Sequence, residues 1–171
     1  MKIIQQNDYI VNKWAGGITR QLYITPNGSS LADRNFDLRI SSAVIDLTSS
    51  TFSDFTGYTR YIMPLAGNIE LQVEGKAVKL EQDKPYRFSG SDHVTSTNSS
   101  GAIDFNVIVR ENIKVDVRVV QELHQPLNQR QAIVFALNGT TLNGTTLLAH
   151  DTAIVDEQEL ALTGHAVVIL L

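Results

Sequence analysis

Ile69-Glu70-Leu71-Gln72-Val73-Glu74, followed after Gly75 by Val78 and Leu80 alternating with Lys79 and Glu81, decides the fold. Every second residue is apolar, and a strand points successive side chains to opposite faces, so this reads as a β-hairpin with one wet face. The same alternation recurs over residues 18–24, 38–45, 58–63, 105–109, 115–119 and 133–137. Val, Ile and Thr make up about a quarter of the chain, the composition of strands. No run of 12 or more residues carries a helical apolar stripe, although residues 120–130 have room for one helical turn beside Pro126. The chain is therefore expected to be all-β with minor helix. Asn-Gly pairs at Asn27, Asn138 and Asn143 offer the positive φ angles of tight hairpin turns. Many short strands in succession point to a closed barrel or a sandwich, either of which limits exposed strand edges.

At 171 residues the chain makes one compact unit or two small ones sharing a core. A weak internal repeat is compatible with two, although any two β-meanders look alike. Pro64-Leu65-Ala66-Gly67, then Gly75, Leu80 and Asp83, is echoed by Ala136-Leu137-Asn138-Gly139, then Gly144, Leu148 and Asp151. Both read as strand, turn, strand, turn, strand.

Composition excludes several functions. Fourteen Lys and Arg against 18 Asp and Glu leave a net charge of -4, the wrong sign for a nucleic-acid surface. With no cysteine there is no disulfide, thiol catalysis or iron–sulfur cluster. The longest apolar run, six residues from Ala166 to Leu171, is far below the ~18 of a membrane helix. The opening residues turn polar too early for a signal peptide, so a cytoplasmic location is expected. A homodimer is compatible with this composition.

His93, His124, His150 and His165 form no His-x-His pair and no i, i+3 or i+4 pair, so no metal and no cofactor is expected. His150-Asp151 reads as a surface His beside a turn Asp. There is no Gly-x-Ser-x-Gly elbow, and Ser91-Asp92-His93 cannot form a relay because neighbouring strand residues face opposite ways. Trp14-Ala15-Gly16-Gly17 lacks the ending of a phosphate loop.

Polar residues inside apolar strands are more informative. Arg39 and Ser41 share one strand face, Asp104 and Asn106 share another, Arg60 lies in a third strand, and Thr19-Arg20-Gln21 opens a fourth. Each alone reads as the wet side of a barrel. If several point inward together, guanidiniums with Asp, Asn and Ser would line a cavity for a small anion.

At these residues the sequence resembles the HutD/Ves family of small bacterial bicupin proteins. The matching blocks are Gly16-Gly17-Ile18-Thr19-Arg20-Gln21, Phe36-Asp37-Leu38-Arg39-Ile40-Ser41-Ser42-Ala43, Phe52-Ser53-Asp54-Phe55-Thr56-Gly57-Tyr58-Thr59-Arg60, Leu65-Ala66-Gly67 and Asp104-Phe105-Asn106-Val107-Ile108-Val109-Arg110. A looser match follows through Val134-Phe135-Ala136-Leu137-Asn138-Gly139. The resemblance implies two cupin barrels, residues 1–111 with a ligand pocket and residues 112–171 as a smaller barrel that does not fold alone. It implies no metal-binding cupin motif. It links the chain to histidine utilisation, as a binder of a pathway intermediate, or to the stress role of Ves proteins. Two departures stand beside the pocket. The family's usual Trp-x-Asn is Asn12-Lys13-Trp14 here, and the Glu that often follows Thr-Arg is Gln21.

The function these readings imply is binding of a small organic anion, as a sensor or metabolite-binding module. Its ligand residues would be Trp14, Thr19, Arg20, Arg39, Ser41, Arg60, Asp104 and Asn106. The alternative is a metal-independent enzyme acting on a small carboxylate or amino-acid derivative, with Asp104 as acid or base.

Overall fold

The alternating hairpin at residues 69–79 is present, and its two strands turn on Glu74 and Gly75, both at positive φ. A computed structural model describes residues 1–156 and 158–171. Its strands are β1 (Lys2–Ile4), β2 (Ile10–Trp14), β3 (Gly17–Thr25), β4 (Leu38–Ile45), β5 (Ser49–Thr51) and β6 (Tyr58–Ala66). There follow β7 (Ile69–Val73), β8 (Lys76–Lys79), β9 (Tyr86–Ser89), β10 (Val94–Asn98), β11 (Ala102–Arg110) and β12 (Asp116–Pro126). The last are β13 (Ala132–Ala136), β14 (Thr140–Leu142), β15 (Thr145–Leu147), β16 (Thr152–Val155) and β17 (Glu159–Leu170). The chain is all-β. One short 3-10 turn at Gln6–Asp8 is the only helical element among the described residues.

That turn is not where the sequence places it. Residues 120–126 stay extended because β12 runs the length of β17, with a bulge between Val120 and Glu122, and ends on Pro126, which has no N–H to donate to the ladder. Among the Asn-Gly pairs, Asn143-Gly144 makes a two-residue turn with both φ angles positive. Asn138 instead accepts the backbone N–H of His165 through Oδ1, and Gly139 has no positive φ.

Residues Ile10–Ile113 form one unit. It contains a six-stranded sheet in the order β2-β3-β4-β11-β6-β9 and a four-stranded sheet in the order β5-β10-β7-β8. Ala43, Ile45, Ile62, Phe88 and Ala102 of the first meet Ile69, Leu71, Val73 and Val94 of the second in one buried cluster. A further cluster of Phe36, Phe55, Tyr58 and Ile108 packs against Ile24.

The other unit joins Met1–Tyr9 to Lys114–Leu171. The opening strand thus lies with the second unit, where the sequence reading has residues 1–111 together, because β1 pairs antiparallel with β16. Tyr9 is buried there, and its hydroxyl lies 2.6 Å from the His150 carbonyl and 2.7 Å from Thr152 Oγ1. Asp151 is no surface turn residue: it is buried, and its carboxylate accepts the N–H groups of Gln6 and Leu148. The single seven-stranded sheet runs β1-β16-β13-β17-β14-β15, with β12 also on β17. β17 changes partner from β14 to β13 at Gly164, whose φ is +124°, and a Cβ there would meet the Thr140 Cα at 2.8 Å. Leu127, Val134, Leu142, Val155, Leu162 and Val168 fill this unit's core. No helix among the described residues is long and apolar enough to cross a membrane.

Candidate functional site

The pairing register of the six-stranded sheet determines which side chains share a face. One row across it reads Ile24, Arg39, Ile108, Arg60 and Phe88. The next inward row is Gln21, Ser41, Asn106, Ile62 and Tyr86, and the one beyond it Thr19, Ala43, Asp104 and Pro64. These rows lie on the face that holds the shared apolar cluster, since Ala43, Ile62 and Phe88 belong to it. Arg39, Ser41, Arg60, Asp104 and Asn106 therefore all point the same way. With neighbouring strands about 4.8 Å apart, the two arginine backbones lie about 10 Å from each other across Ile108.

Arg39 is buried, and its Nε donates to Gln21 Oε1 at 3.0 Å while Nη1 donates to Ser41 Oγ at 3.0 Å. A bulge in β3 between Gln21 and Tyr23 keeps both Gln21 and Ile24 beside Arg39. Neither partner is anionic. Desolvation lowers the proton affinity of this guanidinium below its usual range.

Arg60 is also buried, and desolvation pushes its pKa down to about 10, opposed by the charge of Asp104 and reinforced by those of Arg39 and Arg34. Its guanidinium carbon lies 4.9 Å from the Phe52 ring centroid and 5.2 Å from those of Phe55 and Phe88. The ring faces favour the cation but are poor acceptors for its N–H groups. The buried Nε has no hydrogen-bond partner, and no carboxylate lies within 4 Å of Arg60 among the described residues.

Among the described residues Asp104 is the one buried carboxyl on this face. It accepts the Ala43 N–H at 3.0 Å, and burial pushes its pKa up to about 6, opposed by Asn106, by Ala43 and by the charge of Arg60. The site thus holds two buried cations and one acid that is reluctant to ionise. Buried guanidiniums without a close counter-charge are costly, and an anion entering there would receive unused N–H donors.

Two residues expected in this group fall outside it. Arg20 pairs with Ser42 in the register, so it points to the opposite face from Thr19. Trp14 is about half exposed on edge strand β2, with its ring over Gly16 and its Nε1 donating to Thr19 Oγ1 at 3.1 Å. Thr19 shares the Asp104 row but is engaged with Trp14. Conversely, Gln21, Phe52, Phe55 and Phe88 surround the arginines and were not among the expected ligand residues. Phe52 and Phe55 stand in the same sequence block as Arg60, the signal from which they could have been found.

Two surface grooves lie elsewhere. One of about 270 Å³ is lined by Asn68, Glu70, Lys79 and Thr97, and another of about 500 Å³ by Pro126, Asn128, Gln129 and Glu159. Neither includes a member of the arginine cluster, and the candidate site rests on its buried, underpaired charge. Among the described residues no group of three or more His, Asp or Glu converges as a metal site.

The sequence model of the HutD family matches residues 6–170. The protein belongs to the HutD family. HutD from Pseudomonas fluorescens SBW25, described for a formate condition, is 26% identical and superposes with a TM-score of 0.85 over 98% of this chain and 96% of its own. A conserved protein of unknown function from Pseudomonas aeruginosa PAO1 is 27% identical, with a TM-score of 0.81 over 99% and 96%. A cupin 2 conserved barrel domain protein from Leptotrichia buccalis, at 13% identity and a TM-score of 0.60 over 99% and 94%, shares the fold. This HutD protein therefore has a cupin-like fold.

Proposed function

We propose that this HutD protein binds a small organic anion between Arg39 and Arg60 and acts as a sensor or metabolite-binding module for an amino-acid or histidine-derived intermediate, within a pair of cupin barrels. The observation that carries the reading is Arg60 itself: a buried guanidinium with an unpartnered Nε, no carboxylate within 4 Å among the described residues and a second buried arginine across Ile108. An anion held there accepts N–H groups from both arginines, with Ser41 and Asn106 on the same face for orientation. The holding is done by guanidinium forks and requires no metal.

A second reading is favoured by one feature. The proton affinity of Asp104 lies near neutrality, as suits a general acid or base acting on a small carboxylate or amino-acid derivative. Against it, the carboxyl is already engaged by the Ala43 N–H and by Asn106.

The test is thermal unfolding of wild type, Arg39→Met and Arg60→Met with a panel of small carboxylates including formate. Ligand should raise the wild-type melting temperature, and each variant should fold but lose roughly 2 to 5 kcal/mol of binding. The reading fails if no carboxylate raises the wild-type melt, or if both variants melt far lower whether or not ligand is present. Turnover of a bound ligand that is lost in Asp104→Asn would transfer the case to the enzyme.

A further inference from the structure

A third arginine stands at the edge of this site and has no part in the reading so far. Arg34 lies in the 26–37 loop between β3 and β4, with a φ of +50°. The Tyr58 hydroxyl donates to its carbonyl at 2.8 Å, and its own Nη1 donates to the carbonyl of Asp54. Its guanidinium carbon lies 4.3 Å from the centroid of Phe55, the ring that also has the Arg60 guanidinium carbon at 5.2 Å. One ring thus stands beside a buried cation and an exposed one.

The two charges sense each other, since Arg34 is one of the groups that make Arg60 harder to protonate. Two acids act on these charges without an ion pair forming within 4 Å among the described residues. The charge of buried Asp104 favours protonated Arg60 more than either Arg39 or Arg34 opposes it, while the exposed Asp54 carboxylate accepts the N–H and hydroxyl of Thr56 at 2.8 and 2.7 Å and feels the charge of Arg34. No ion pair within 4 Å joins Arg34 to a carboxylate among the described residues. A monoanion between Arg39 and Arg60 leaves Arg34 facing only the exposed, Thr56-bound Asp54, whereas a second acidic group reaching past Phe55 meets it.

Building on the anion-binding reading, we infer that the ligand is a short-chain dicarboxylate, with one carboxylate held by Arg39 and Arg60 and the other by Arg34 at the rim. Arg34 is then a specificity residue: it selects for the second acid group, and its remaining N–H donors are free to fork onto it.

Calorimetric titration with matched pairs, propionate against succinate and butyrate against glutarate, tests this. Wild type should bind each dicarboxylate about tenfold more tightly than its monocarboxylate partner, the effect of one added charge-assisted contact. Arg34→Met should bring the members of each pair to within about twofold, and Arg34→Lys, which keeps the charge without the fork, should restore part of the preference. Equal wild-type affinity within each pair overturns the inference while leaving anion binding standing. So does an Arg34→Met variant that keeps the full preference. If neither member of either pair binds wild type, the anion-binding reading falls and this inference with it.

Discussion

Gln21 Oε1 accepts a hydrogen bond from Arg39 Nε at 3.0 Å, so a neutral amide occupies the position from which a carboxylate would neutralise a buried guanidinium. Within the resemblance drawn from the sequence, that position is often Glu. Replacing Gln21 by Glu should add an ion pair to the site, raising stability by about 1 kcal/mol. The same change should weaken binding of small carboxylates about tenfold, because the added charge competes with the ligand for Arg39. Paired melts and titrations on Gln21→Glu check both signs. Tighter carboxylate binding in the variant would contradict this role for Gln21.

Asp104 makes stability depend on pH. Its pKa rises from 3.8 in the ordinary state to about 6 in the fold, so the folded state holds its proton more tightly than the unfolded one. The stabilisation from that proton is fully present below about pH 4 and is lost as pH rises through about 6. A shift of this size corresponds to roughly 3 kcal/mol. Denaturant unfolding between pH 4 and 8 should therefore show wild type losing stability relative to Asp104→Asn over that window. Carboxylate binding should weaken over the same range as a negative charge appears beside Arg60. A difference between the two proteins that does not vary with pH would exclude the shift.

Gly90 controls where Phe55 sits. Its carbonyl accepts the Phe55 N–H at 2.8 Å, and a Cβ on Gly90 would come within 2.0 Å of the Phe55 carbonyl oxygen and 2.8 Å of that of Tyr58. Both are backbone atoms, so the chain must move. Gly90→Ala should cost about 1 to 3 kcal/mol and disturb the ring beside Arg60, lowering carboxylate affinity as well. Unfolding titrations with and without ligand measure the two effects; unchanged stability would show that the loop yields easily.

Tyr9 anchors the opening segment. Its hydroxyl is buried between the His150 carbonyl and Thr152, and burial pushes its pKa up to about 12. Tyr9→Phe keeps the ring but leaves buried acceptors unmatched, so about 1 to 3 kcal/mol of stability should be lost. Deleting residues 1–9 should be more damaging, since it also bares the edge of β16 and removes the Gln6 donor from Asp151. Soluble, wild-type-like melting of the truncated protein would contradict this.

Much of the site is legible in the strands because their period of two places side chains by counting. Arg39 with Ser41, and Asp104 with Asn106, share faces as the alternation requires, and the register adds Arg60 to them. Arg20 takes the opposite face from Thr19, because successive strand residues face opposite ways. Arg34, Phe52 and Phe55 lie between strands, where no period operates and the path is set by tertiary contacts. The 120–126 segment was ambiguous because its apolar residues are sparse; pairing with β17, a partner some 40 positions away, decides it.

The union of β1 with β16 has a temporal side. Lys2 meets Ile154, so β1, once made, must wait for a partner about 150 residues behind it. At about 5 to 20 residues per second that is on the order of 10 to 30 seconds of synthesis. Throughout that interval β1 has no native edge to join, which leaves it open to chaperones, or to a neighbouring nascent chain on the same message.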